Sequence, residues 1–163
     1  MAGQPTEADP AKWHRWFAVE ANNRAWRLSE SPARSAAEDA EMLDAAHAAA
    51  FHWAKVGTAL HAARAQMLLG HAHALLGHAE PAMKNARAAF DYVMSHDSPP
   101  WEVAFAHAVL ANASAAQGDK ATHAVHHAEA KALGGALADA EEKQIFEQMF
   151  ATVPVPGAGH GAS

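Results

Sequence analysis

The stretch that decides the fold reads Met67-Leu68-Leu69-Gly70-His71-Ala72-His73-Ala74-Leu75-Leu76-Gly77. It returns as Ala108-Val109-Leu110-Ala111-Asn112-Ala113-Ser114-Ala115-Ala116-Gln117-Gly118, at an offset of 41 residues. Leu69 aligns with Leu110, small Gly70 with small Ala111, and Gly77 with Gly118. Each copy leads into spaced alanines: Ala82, Ala86 and Ala89 after the first, and Ala121, Ala124 and Ala128 after the second, where the alignment slips by one residue. A fainter echo, Ala21-Asn22-Asn23-Arg24-Ala25-Trp26, lies at an offset of 48. Self-similarity at such a spacing is the signature of a repeat architecture.

Composition points the same way. The chain holds 45 alanines in 163 residues, against 9 valines and isoleucines. Alanine loses no side-chain entropy in a helix, and strands need the β-branched residues that are scarce here. The fold class expected is all-α. Proline and glycine mark seven helices. They run from Pro10 to about Leu28, from a Ser31-Pro32 cap to Val56, from Thr58 to Leu76, and from just before Pro81 to about Met94. The last three run from Ser98-Pro99-Pro100 to about Gln117, from Gly118-Asp119 to Leu133, and, past a Gly134-Gly135 break, from Leu137 to Phe150. Residues 1–10 read as an N-terminal arm, 11–150 as one helical domain, and 151–163 as a flexible, Pro/Gly-rich tail. Short connections imply antiparallel neighbours.

The strings Leu69-Gly70, Leu76-Gly77, Ala82, Ala86, Ala89-Phe90 and, more loosely, Leu110-Ala111, Gly118-Asp119, Ala124, Ala128 resemble tetratricopeptide (TPR) repeats. The resemblance spans about residues 58–133, and the chain as a whole resembles short bacterial proteins built this way. It departs from the family in its spacing, longer than the usual 34, and in Gln66 and His107 at places where the family carries a large aromatic. What it implies is a right-handed stack of hairpins whose first helices line a concave groove for a peptide or partner protein. The floor of that groove is expected to hold Asn23, Arg64, Met67, His71, Phe105 and Asn112, because residues three and four apart share a helix face. Amides and an arginine there suit a peptide backbone or a carboxylate. Ile145, Phe146, Met149 and Phe150 form a face for a C-terminal helix that caps the stack or pairs two chains.

The 13 histidines need their own account. His123 and His127, at i and i+4 with Asp119 one turn earlier, have the spacing of metal ligands on one helix. A helical wheel puts Ala121, Ala124, Val125, Ala128 and Ala132 on the packing face, and so turns these histidines to solvent, where no surrounding shell would order them. His47, His71 and His107 are candidates to meet across helices. The 5 tryptophans, Trp13, Trp16, Trp26, Trp53 and Trp101, read as core fillers in an alanine-rich protein.

Charge and absent motifs bound the function. A net charge of −6 argues against nucleic acid and anionic membranes as partners. Protonating every histidine would bring the charge to about +7, which makes a pH-responsive oligomer one reading. No cysteine is present for a disulfide or a thiolate metal site. No apolar run reaches membrane-spanning length, and no basic, apolar leader opens the chain, so a cytoplasmic location is expected. No G-x-S-x-G, Walker or H-E-x-x-H motif occurs. The expectation is an interaction module without cofactor, more a binder than an enzyme. The alternative is a small-molecule or metal-binding protein, or an enzyme, built on inter-helix histidines.

Overall fold

The computed structural model describes Gly3 and residues 8–157, and among them there are seven α-helices and no strand. They are α1 (Pro10–Ser29), α2 (Ala36–Val56), α3 (Ala59–Leu75), α4 (Ala79–Ser95), α5 (Pro100–Gln117), α6 (Lys120–Gly135) and α7 (Ala140–Phe150). The all-α expectation and the helix count hold. No helix among the described residues is long and apolar enough to cross a membrane.

Most starts are set by caps. Asp9 accepts from the Ala11 amide at 3.0 Å, ahead of Pro10 at the first helical position. Asp119 and Asp139 cap α6 and α7 in the same way. The second helix starts later than expected. Ser35, not Ser31, is its cap, in a reciprocal box with Glu38. Arg34 then holds the turn by donating to the carbonyls of Leu28, Ser29 and Ser31 and pairing with Asp39 at 2.6 Å.

The internal repeat is written in the turns. Gly77 and Gly118 adopt left-handed φ of 71° and 78°, which glycine reaches without a Cβ penalty. The Gly77 amide donates to Ala74 and the His78 amide to His73. At the same offset of 41, the Gly118 amide donates to Ala115 and the Asp119 amide to Ser114. Within the copies, Gly70 touches α4 so closely that a Cβ there would lie 2.8 Å from the Ala86 amide nitrogen. Ala82, Ala86, Ala89 and Ala111 are buried, as their small size predicts.

Consecutive helices pack on one another from α1 to α7. Beyond these pairs, α1 touches α3, α3 touches α5, and α7 lies against α5. One apolar cluster centres on Leu68, Leu69, Met42 and Leu28; a second runs through α3 to α7 and includes Val109, Leu110, Phe146 and Met149. Trp26 packs against both.

The C-terminal third corrects several expectations. α6 runs past Leu133 and ends at Gly135, two residues later than expected, and its Gly134 faces Phe146 so tightly that a Cβ would sit 1.9 Å from the ring. The packing face of α6 is the reverse of the one expected: His123, Ala130 and Gly134 are buried, whereas Ala121, Ala124, Val125 and Ala128 are exposed. Periodicity failed there because alanine on both sides leaves no contrast, and the space that Gly134 leaves for the Phe146 ring chose the face. The first part of the segment read as a flexible tail is docked. Val153 is buried, Thr152 reaches His71, and the Pro154 carbonyl accepts from His123. Residues 158–163 and most of the N-terminal arm lie outside the described residues. The apolar face of α7 is spent largely within the chain: Phe146 and Met149 are buried, and Ile145 remains exposed.

Candidate functional site

Four helices enclose an open cleft of about 470 Å³. Asn22, Trp26 and Glu30 come from α1 and its C-cap, spaced i, i+4, i+8 along one face. Arg64 and Met67 come from α3, Trp101 and Phe105 from α5, and Glu142 and Ile145 from α7. Phe105 touches both indoles edge-on, with ring centroids 5.9 Å from Trp26 and 5.8 Å from Trp101. Both tryptophans are only partly buried. They are not the simple core fillers their spacing suggested, and they present apolar surface to the cleft.

Arg64 is tied down. Its Nε donates to Glu102 at 2.5 Å, and its guanidinium lies 5.3 Å from the Trp101 ring centroid. Glu102 is 1% exposed and the Arg64 side chain 42% exposed. The arginine is therefore the partner that a buried carboxylate requires. Its charge is answered from within the protein. Glu30 differs: burial pushes its carboxyl above the usual range.

Three of the six expected floor residues, Arg64, Met67 and Phe105, line this cleft. Asn23 does not; Asn22, one position earlier on α1, takes the place and donates to Asn23 at 3.4 Å. His71 and Asn112 do not line the cleft; Asn112 borders a separate pocket with Leu75, Thr152 and Pro154. His71 and Asn112 are 0% and 2% exposed, and the Asn112 amide donates to His71 Nδ1 at 3.1 Å. Trp26 stacks on His71 at 5.6 Å, forming a lid between it and the cleft. On the far side His71 Nε2 meets Thr152 Oγ1 at 3.3 Å, and Thr152 gives its own proton to the Met149 carbonyl. This chain of donors and acceptors requires the neutral Nε2–H tautomer. Burial first, and the Arg34 charge second, push the His71 pKa down to about 4. Nothing local to His71 marks that a tryptophan from α1 and a threonine after α7 close over this ring. Trp26, Trp101, Glu30, Glu142 and Ile145 were missed as cleft residues for the same reason, although the i, i+4 spacings on α1 and α5 were visible.

The other expected constellation does not assemble. Asp119 is occupied as the cap of α6, bonded to the Thr122 amide and hydroxyl. His123 Nε2 donates to the Pro154 carbonyl at 2.7 Å, and His127 packs on Phe150 at 4.7 Å. No group of three or more metal-ligating side chains occurs among the described residues. Histidines do meet across helices, although His71 meets neither His47 nor His107; the His47 ring of α2 lies 5.5 Å from that of His73. His14 and His52 approach at 2.8 Å, His107 and His126 at 3.0 Å, and His73 and His78 at 3.2 Å, each through their Nδ1 atoms. Each pair shares a single proton between two ring nitrogens, so it serves as a contact between chain segments when at most one ring is charged. Burial pushes His52, His73, His107 and His126 below the ordinary histidine value, and for the first three the neighbouring histidines add to it. None of the residues lining the cleft is a histidine. No protein-family model, curated protein or solved structure matches the chain.

Proposed function

We propose that the chain is an interaction module, a TPR-like stack of three antiparallel helix hairpins closed by α7, which binds a peptide or partner protein in the cleft. The observation that carries this reading is the cleft itself. It opens where α1, α3, α5 and α7 meet, and it offers two partly exposed tryptophans, Phe105, Met67 and Ile145 within a polar rim of Asn22, Glu30 and Glu142. Aromatic anchors surrounded by polar groups are the anatomy of binding hot spots. The repeated turn bonds and the close Gly70–Ala86 approach support the TPR-like arrangement.

Photo-crosslinking tests the proposal. A benzophenone side chain placed at Ile145, 47% exposed in the cleft, should capture a distinct partner in the host cell. The same group at Val125, 60% exposed on α6, should not. The captured protein should then bind the purified chain and lose binding to the Ile145→Lys variant. Equal labelling from both positions contradicts the proposal.

A further inference from the structure

Resting on that reading, we propose that the cleft selects a basic segment, seating a lysine or arginine side chain whose aliphatic stem lies on the aromatic wall and whose charge meets Glu30 and Glu142. Three charged side chains line the cleft: Arg64, Glu30 and Glu142. Arg64 is neutralised by Glu102 below it. Neither Glu30 nor Glu142 has an ion-pair partner among the described residues. The cleft thus carries two uncompensated negative charges beside apolar surface.

Glu30 is the C-cap of the 20-residue α1; Arg34 already answers the last carbonyls of that helix, so the contact left for an incoming cation there is the Glu30 carboxylate itself. Glu30 is also partly desolvated, which leaves its carboxylate short of the hydration it would have in water. A bound ammonium or guanidinium would restore that stabilisation. The wall suits the rest of such a side chain. Trp101 already holds the Arg64 guanidinium over its ring, an internal instance of the cation–aromatic attraction that an incoming cation would use. Long basic side chains lay their methylenes on apolar surface while their charge stays in a polar rim. The net charge of −6 steers a basic partner towards the molecule. An acidic segment meets the opposite on every count, because the one arginine in the cleft is committed to Glu102. This reverses the expectation that Arg64 would hold a carboxylate.

The test is selection of a random short-peptide display library on the full chain, with soluble Ile145→Lys protein as competitor to identify cleft binders. Binders that resist this competitor should be rich in lysine or arginine next to leucine or aromatic residues. The best such peptide should then bind the wild-type chain in calorimetry and weaken roughly tenfold for each of Glu30→Gln and Glu142→Gln, as expected when a charge-assisted contact is lost. Helicity and melting temperature of both variants serve as the folding control. Acidic peptides recovered when the competitor is omitted, and bound more tightly by Ile145→Lys than by wild type, overturn the basic-segment inference while leaving the cleft a binding site. Basic peptides indifferent to both glutamate substitutions overturn it too. If every binder is removed equally by the Ile145→Lys competitor, the cleft is not the binding surface, and the underlying proposal falls with it.

Discussion

Acid should loosen this protein through His71, and the size of the effect can be worked out. The ring is 0% exposed, with Nδ1 accepting from Asn112 and Nε2 facing Thr152. A second ring proton has to sit on Nδ1, against the Asn112 amide. Turning that amide would restore the bond but not the lost hydration of the charge. The pKa is pushed from 6.5 down to about 4, chiefly by burial and then by Arg34. In the unfolded chain the ring titrates near its free value, so between these two pH values the unfolded state binds more protons. The stabilisation is therefore present above pH 6.5 and is lost as the pH falls through about 4. The gap corresponds to about 3 kcal/mol. Urea unfolding followed by circular dichroism, on wild type and His71→Gln at a series of pH values from neutral to acid, isolates this contribution. The other histidines with lowered pKa values act in both proteins and cancel in the comparison. Wild type should lose about 3 kcal/mol more than the variant over that range. Parallel stability profiles would show that His71 does not carry this pH dependence.

Three further outcomes follow from close contacts, backbone conformation and buried charge. Gly134→Ala should destabilise by about 1–3 kcal/mol in thermal unfolding, because its Cβ collides with Phe146, whereas Gly135→Ala, with open space around it, should be neutral or slightly stabilising. Gly77→Ala and Gly118→Ala should each cost about 1 kcal/mol, since both positions hold left-handed φ with no steric obstacle nearby; a stabilised variant would contradict this. Arg64→Met should cost roughly 2 kcal/mol and Glu102→Gln clearly less, read from denaturant midpoints, because the first strands a carboxylate that is 1% exposed and the second frees an arginine that is 42% exposed.

How far the sequence could be read varied with the contrast it carried. The helices were legible because proline, glycine and capping residues mark their ends, and the offset of 41 reappears as paired hydrogen bonds in the turns. Of the five floor residues that the TPR resemblance and helical spacing together placed on α3 and α5, Arg64, Met67 and Phe105 line the cleft, and His71 and Asn112 do not. Three kinds of information were not local. The face of α6 depends on Gly134 meeting Phe146, a contact that hydrophobic contrast cannot show in an alanine-rich helix. The burial of His71 depends on Trp26 from α1 and Thr152 after α7. The charge of the cleft depends on Glu102 cancelling Arg64, 38 positions away in the chain. One-residue slips, as at Asn22 and Asn23, follow from the irregular offset of the first, weakest copy.

The tryptophans provide a built-in test of whether the cleft between α1, α3, α5 and α7 is the binding surface. Trp26 and Trp101 line the cleft, whereas Trp13, Trp16 and Trp53 lie outside it. In a two-dimensional proton–nitrogen spectrum of the full chain, each indole N–H gives its own signal. Adding the best-selected basic peptide should shift the signals of Trp26 and Trp101 and leave the other three in place. Shifts confined to Trp13, Trp16 or Trp53 would contradict the account.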